Sequence, residues 1–428
     1  VRIENLRVTP IALGDAPLLN AAGLHAPYAL RIVLELETES GIVGLSEIPG
    51  DADVLSALSG VAPALAGQSV HDLRGIERRL REVVGADAPG ARGEQSWDAR
   101  RFVHVLSAVE VACLDAVGKR WDCRVADLLG GVVRERVPYA GYLFFKYEGA
   151  GGPLGFAADP AATGWAAARQ APALDAGGIV AQARSMIDAF GFGSLKLKAG
   201  ILEPDVEVTA ALALREEFGP KLPIRVDPNA VWSFETALAQ GRRLRGAIEY
   251  LEDPVRGQKE MARFRRELDV PLATNMCTTS FDDLPSSIAL GSEDIILADH
   301  HFWGGLRASM ELARLCTVFG RGLSMHSNSH AGISLAAMTH LGAALPALVS
   351  ALDTHYPWQE DEIIAGGKLR IENGSVALPD KPGLGVELDR AALAKAHERY
   401  LACGLVRRND ELEMQKRQPG WRFEKTRY

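Results

Sequence analysis

Two hydrophobic rhythms divide the chain. Over positions 1–13 apolar and polar residues alternate, and Leu30-Arg31-Ile32-Val33-Leu34-Glu35-Leu36 runs on to Ser40-Gly41 before Ile42-Val43-Gly44-Leu45 resumes. A period of two interrupted by a glycine turn predicts an antiparallel hairpin or meander. From about 53 to 120 the spacing is helical, ending in an alanine-rich stretch, 103–119, whose small side chains suit close helix packing. The first unit is therefore expected to be α+β.

After about residue 138 short apolar runs alternate with helix-length segments. The runs lie at 194–198, 223–227, 248–252, 270–275, 295–299, 322–326 and 348–353, and each closes on a polar residue: Lys198, Asp227, Glu252, Asn275, Asp299, His326 and Asp353. These closing residues recur every 23 to 29 positions, the length of one strand, one helix and two short loops. With a first strand at 137–144 the count is eight, which predicts a closed TIM-type (β/α) barrel of parallel strands. An open doubly wound sheet is the alternative, but the nearby glycine cluster at 149–155 lacks the GxGxxG pattern expected of it. The expected division is an α+β capping domain over 1–135, the barrel over 136–355, and a tail, 356–428, returning to the capping domain. That tail carries a hairpin around Glu372-Asn373-Gly374-Ser375 and a helix over 389–402. The Gly-, Ala- and Pro-rich segment 145–180 reads equally as an active-site lid or as an insertion.

Composition narrows the class. At 428 residues, 47% hydrophobic and 24% charged, the chain has ample core and no signature of disorder. A net charge of −8 without long single-sign blocks argues against nucleic acid or an anionic membrane as partner. Five cysteines without a CxxC pair point away from a disulfide framework or thiolate zinc site. The absence of a spanning apolar run and of a secretion-signal layout at 1–5 completes the expectation of a cytoplasmic protein.

In a barrel of this kind the C-terminal strand ends converge on one pocket. Asp227, Glu252 and Asn275 would then offer three oxygens from successive strands, a hard donor set that selects Mg²⁺, with Mn²⁺ tolerated. Lys196 and Lys198, two apart on a strand, share one side and face the interior. Beside a divalent cation and a second ammonium, lysine is expected to fall in pKa toward a general base. Asp299 and His326 end consecutive strands, so the carboxylate can orient the imidazole as a second base. His300 and His301 fall in the following loop and read as structural.

These residues resemble the glucarate dehydratase family of the enolase superfamily over nearly the whole chain. The resemblance rests on Lys196-Leu197-Lys198, Asp227-Pro228-Asn229, Glu252-Asp253-Pro254, Ala273-Thr274-Asn275-Met276, Asp299-His300-His301-Phe302-Trp303 and His326-Ser327-Asn328-Ser329-His330. It continues through Asp353-Thr354-His355, Lys381-Pro382-Gly383-Leu384-Gly385 and Pro419-Gly420-Trp421. It implies Mg²⁺ on Asp227, Glu252 and Asn275, and bases Lys198 and His326–Asp299 on opposite faces. Lys196 would help to stabilise the enolate, and Asn328 would join the catalytic set. Asn20, His25, Tyr142, Ser327, His355 and Arg408 would hold the substrate's hydroxyls and distal carboxylate, with Arg31 near the substrate-facing segment. The implied activity is Mg²⁺-dependent dehydration of an acid sugar, most simply D-glucarate, by a homo-oligomer. A Lys or His base beside Mg²⁺ is the general pattern of enolase-superfamily sites.

One departure bears on the substrate. Where the family reads Thr-Thr-x-His, this chain reads Arg101-Phe102-Val103-His104, which would bring an aromatic ring to the substrate and offer Arg101 to a carboxylate. Two further readings stay open: racemase or cycloisomerase, which would place a lysine after the sixth strand, and a catalytically weak paralogue with a binding role.

Overall fold

The computed structural model describes residues 1–88 and 98–428, so positions 89–97 of the helically spaced 53–120 lie outside the described residues. Ile3–Gly14, Tyr28–Thr38 and Val43–Pro49 form an antiparallel three-stranded sheet, in the order predicted for a meander. Helices Ala52–Leu65 and Arg101–Trp121 pack on it, and Leu73–Val84 packs against both helices. Gly44 shows why small residues recur here: a Cβ on it would lie 2.0 Å from the Ala112 carbonyl oxygen. Sheet and helix meet backbone to backbone at that point.

Eight parallel strands follow: Arg136–Phe144, Leu195–Lys198, Ile224–Asp227, Tyr250–Glu252, Leu272–Thr274, Ile295–Ala298, Gly322–Met325 and Leu352–Thr354. They pair in chain order through the seventh, and the eighth pairs with the first, Leu352 opposite Tyr139. Val349 N, just ahead of the eighth strand, donates to Leu323 O of the seventh at 3.1 Å, bringing the last neighbours together. The fold is a TIM-type barrel with an N-terminal capping domain. Each short strand is buried on both faces, which is why its residues read as apolar runs and why charged side chains within it must find partners.

The tail departs from expectation in part. Hairpin Ile371–Glu372 and Ser375–Ala377 adds antiparallel to the base of the first barrel strand, Ser375 opposite Pro138, rather than to the capping domain. Its unpaired edge is satisfied by the nearest open strand edge, which belongs to the barrel. Helix Arg390–Cys403, capped by Asp389, does return to the capping sheet, packing on Ile3–Gly14. Segment 145–180 is no bare loop: it carries helix Gly164–Gln170, with Trp165 Nε1 donating to Pro357 O at 2.8 Å and Arg169 Nη1 to Trp358 O at 2.9 Å. It packs beside the loop after the eighth strand. Among the described residues no helix is long and apolar enough to cross a membrane.

The capping helix Arg101–Trp121 is bolted to the barrel by a buried carboxylate. Glu110 Oε2 and Oε1 accept from Leu306 N at 2.9 Å and Arg307 N at 3.0 Å, the first turn of helix Leu306–Val318. Burial nevertheless outweighs these bonds and pushes the Glu110 carboxyl up to about 7. A carboxyl raised in the folded state binds more protons folded than unfolded, so its contribution to stability falls as pH rises from the ordinary value near 4.5 toward 7. Urea unfolding of wild type and Glu110→Gln across that window should show the wild type losing stability relative to the variant; parallel curves would contradict it.

Candidate active site

Strands three to five bring three oxygen donors together. Asp227 and Glu252 are fully buried at their strand ends; Asn275 Nδ2 donates to Glu252 Oε1 at 3.1 Å, and Lys196 Nζ bridges the two carboxylates, 2.6 Å from Glu252 and 3.5 Å from Asp227. Asp253 arranges the turn. With φ at +40° it turns the chain sharply after Glu252, and its carboxylate accepts from Asn275 N at 2.9 Å and holds Thr274 Oγ1. Burial raises the Asp253 carboxyl to about 6, consistent with its service to two short strands rather than to solvent.

Both lysines of the second strand point into this centre. Lys196 Nζ lies 2.6 Å from Glu252 Oε2, 2.7 Å from Asp353 Oδ2 and 3.5 Å from Asp227 Oδ2, and Lys198 Nζ donates to Asp227 Oδ2 at 2.6 Å. Burial alone would lower the Lys196 ammonium, but Asp353 and Glu252 hold it well above the ordinary lysine range. Encircled by these carboxylates, Lys196 is held as an ammonium, the state in which the resemblance has it help to stabilise an enolate. Asp353, the middle residue of the eighth strand, also takes Arg225 Nη1 at 3.2 Å, and so ties the two buried cations together.

The donor set fits a hard divalent cation. Burial, and then the neighbouring Asp227, push the Glu252 carboxyl well above its ordinary value. Oxygens from two carboxylates and an amide, without thiolate or imidazole, suit Mg²⁺. A separate cluster, Asp299, His300 and His301, places its ligand atoms within 4.8 Å of one another, but Asp299 there is committed to imidazoles.

On the other flank, His326 Nδ1 donates to Asp299 Oδ2 at 3.1 Å. A carboxylate can only accept, so the imidazole proton is held on Nδ1 and the lone pair on Nε2, the basic tautomer. Burial would raise Asp299, yet the facing His301 and His326 keep its carboxyl well below the ordinary range. His300 and His301 form the first residues of a short helix, His300–Trp303, rather than a loop.

The pocket is lined by Asn20, His25, Tyr142, Lys198, Asn275, His326, Ser327, Asn328, His355 and Arg408, all anticipated from the sequence. At its distal end Arg408 Nη2 lies 2.8 Å from His25 Nε2, and Asp410 accepts from Arg408 Nε and from Asn20 Nδ2 at 2.7 Å. Ser327 Oγ accepts from His355 N at 3.2 Å, while the His355 ring sits edge-on to Tyr142, centroids 4.5 Å apart. Burial, with His25 and His326 nearby, keeps the His355 imidazole neutral, well below the ordinary range.

Phe102 is not in this pocket. Two residues on a helix are separated by roughly 200°, so with His104 turned to the pocket Phe102 faces away, buried in the capping-domain core beneath the Arg81 guanidinium at 4.1 Å. Asp87 instead receives the main-chain N–H groups of Phe102 and Val103. Arg101 is exposed, and Arg31 is turned onto Glu47 at 2.8 Å, so neither meets the pocket. No residue of 145–180 lines it either.

The lining residues that sequence reasoning missed are Asp98, His104, Asn229, Phe144, Phe302 and Pro49. Asp98 grips Arg100 through both oxygens, and Arg100 reaches Thr279 O and Phe302 O of the barrel at 2.9 Å. His104 Nε2 is 3.7 Å from Asp98, and burial still holds its imidazole neutral, at about 4. A histidine seated in an alanine-rich helix was the available signal.

Comparison with known proteins agrees with this architecture. Residues 178–392 match the family described as Enolase C-terminal domain-like, and residues 17–130 that of the Mandelate racemase / muconate lactonizing enzyme N-terminal domain. A Streptomyces coelicolor protein described as a probable glucarate dehydratase is 44% identical over 98% of this chain and 97% of its own length. A crystal structure of an enolase from Mycobacterium smegmatis with formate and acetate superposes with a TM-score of 0.93 at 46% identity, covering 100% of this chain and 98% of that one. Another from Thermobispora bispora, with magnesium and formate, gives 0.91 at 48% identity, covering 99% of each chain.

Proposed function

We propose, from the premise that this chain belongs to the enolase superfamily and is an acid-sugar dehydratase, that its substrate is D-glucarate, with the epimer L-idarate, and its product 5-keto-4-deoxy-D-glucarate. The observation that carries the reading is one pocket in which Lys198 and His326 flank the strands bearing Asp227, Glu252 and Asn275, with Arg408, His25 and Asn20 at the far end. Such a pocket suits a chain with a carboxylate at each end. In this reading residues 136–355 supply the chemistry, while 1–135 and the tail 356–428 enclose the distal hydroxyls.

A proton α to a carboxylate is weakly acidic, and its removal requires positive charge already in place where the enediolate forms. Mg²⁺, held by Asp227, Glu252 and Asn275, supplies most of that charge when bound. Lys196, kept cationic by its carboxylates, adds a fixed ammonium beside it. His326 Nε2 takes the α-proton on its flank, with Asp299 stabilising the imidazolium that results. The same imidazolium then delivers the proton to the β-hydroxyl, which departs as water, and tautomerisation of the enol leaves the 2-keto acid. For the opposite configuration at the α-carbon, Lys198 takes the proton from the other flank. Ser327, Asn328, Tyr142 and His355 hold the sugar hydroxyls.

A panel of aldarates and aldonates incubated with the Mg²⁺-loaded protein, assayed for 2-keto acid, tests the substrate. D-Glucarate is expected to give the highest kcat/KM, and a monocarboxylate outrunning every dicarboxylate would remove Arg408 and His25 from the role assigned to them.

A further inference from the structure

The His326–Asp299 pair does not stand alone. While Asp299 Oδ2 serves His326, Oδ1 accepts from His301 Nδ1 at 2.8 Å and from His301 N at 2.9 Å. The His301 ring is buried and lies against His300, centroids 3.9 Å apart. Its far nitrogen, Nε2, sits 3.0 Å from the Glu47 main-chain oxygen and 2.7 Å from Ser334 Oγ. Glu47 belongs to the capping sheet, and its carboxylate in turn accepts from Arg31 Nε at 2.8 Å, Ala331 N at 2.8 Å and Ser334 N at 3.0 Å. Those last two donors open helix Gly332–Ala344, which follows the loop carrying His326. His301 is therefore clamped between the catalytic carboxylate and a capping-domain anchor.

We propose that His301 is a positioning residue for the base His326, acting through Asp299 and anchored by Glu47 and Ser334 across the seam between capping domain and barrel. With Oδ1 held by the His301 main-chain N–H alone, the carboxylate can still tilt about its terminal bond; the His301 ring clasps the same oxygen from a second direction. With both oxygens held it has one orientation, which fixes the direction of the His326 Nδ1–H and hence the aim of the Nε2 lone pair. Reacting groups misplaced by about 1 Å can lose about 100-fold in rate, so the second imidazole has a purpose that packing alone would not require. The charged and titratable groups around His301 are Asp299, His300, Arg31 and Glu47, with His104 and His330 beyond them.

The inference rests on the reading of His326 as a base, and the test separates the two. In Mg²⁺-loaded protein, His301→Leu is expected to lower kcat about 10- to 100-fold, the range seen when supporting hydrogen bonds around active-site ligands are removed. In α-proton exchange the loss is confined to the epimer, D-glucarate or L-idarate, whose exchange disappears in His326→Asn; KM stays within about twofold. Exchange of the other epimer in D₂O, which uses Lys198, is unchanged. His301→Asn, which keeps an N–H at the position of Nδ1, recovers most of the rate. Equal loss on both epimers, or no loss, overturns the proposal. Independently of turnover, the downfield proton resonance of His326 Nδ1–H, assigned by its absence in His326→Asn, should move or broaden in His301→Leu; an unmoved resonance overturns the proposal even if the wild type dehydrates neither sugar, a result that would sink only the substrate reading. Should His301→Leu not fold, Ser334→Ala carries the same test, with a smaller loss of the same selectivity.

Discussion

His326→Asn should lose dehydration of the epimer that presents its α-proton to the histidine flank by about 10³- to 10⁴-fold, because it removes both the base and the acid that protonates the departing hydroxyl, each a step in which a positioned group typically contributes 10²- to 10⁴-fold. The same variant should still exchange the α-proton of the other epimer with D₂O, since Lys198 sits on the second barrel strand and His326 after the seventh, on either side of the strands bearing Asp227, Glu252 and Asn275. Lys198→Met should show the reciprocal pattern. The reason to expect separability is geometric: His326 is held by Asp299 and Lys198 by Asp227, two different carboxylates on different strands. Deuterium incorporation followed by proton NMR reads both reactions in one tube. If each variant lost both exchanges equally, a two-flank mechanism would be untenable.

Glu252→Gln is the second expectation, and it concerns metal and fold together. The Glu252 carboxylate is buried among Asp227 and Asp353, and burial and the like charge of Asp227 drive it well above its ordinary pKa. A cation that neutralises this crowding binds the folded chain alone, so Mg²⁺ at 100 times its Kd should stabilise the wild type by about 2.7 kcal/mol. In Glu252→Gln that Mg²⁺-dependent increment in Tm should vanish. Dehydration should fall by 10³-fold or more with it, since the charge that meets the enediolate is lost. EDTA followed by Mg²⁺ should remove and restore activity in the wild type only. A variant that kept the full Mg²⁺ increment would place the cation elsewhere.

The architecture and the centre of the site were legible because both are periodic. A parallel strand buried on both faces must be a short apolar run, and its length plus that of a helix sets the 23- to 29-residue interval, so Asp227, Glu252, Asn275, Asp299 and His326 could be placed at strand ends by counting. Counting fails where the relevant neighbour is remote. Phe102 read as a pocket residue because it occupies a motif position, yet the phase of its helix, set by how Arg101–Trp121 seats on the sheet, turns His104 inward instead. Hairpin 371–377 was legible as a hairpin, and its partner was not, because strand-edge pairing is decided by whichever edge lies nearest.

Charge state divides along the same line. That Lys196 lies inside follows from its place beside Lys198 on one strand; that it stays charged follows from Asp353 at 2.7 Å and Glu252 at 2.6 Å, brought to it by the closed barrel. His301 is plain in the sequence as a neighbour of Asp299, but its clamp requires Glu47 from 254 positions away. Arg408 meets His25 across 383 positions. Local periodicity and residue type thus dictated the barrel and the placing of Asp227, Glu252, Asn275, Asp299 and His326 at its strand ends, since each strand–helix unit sets its own length. Orientation, pairing and protonation were settled by packing, because each depends on the distance and burial of groups that only the closed fold brings together.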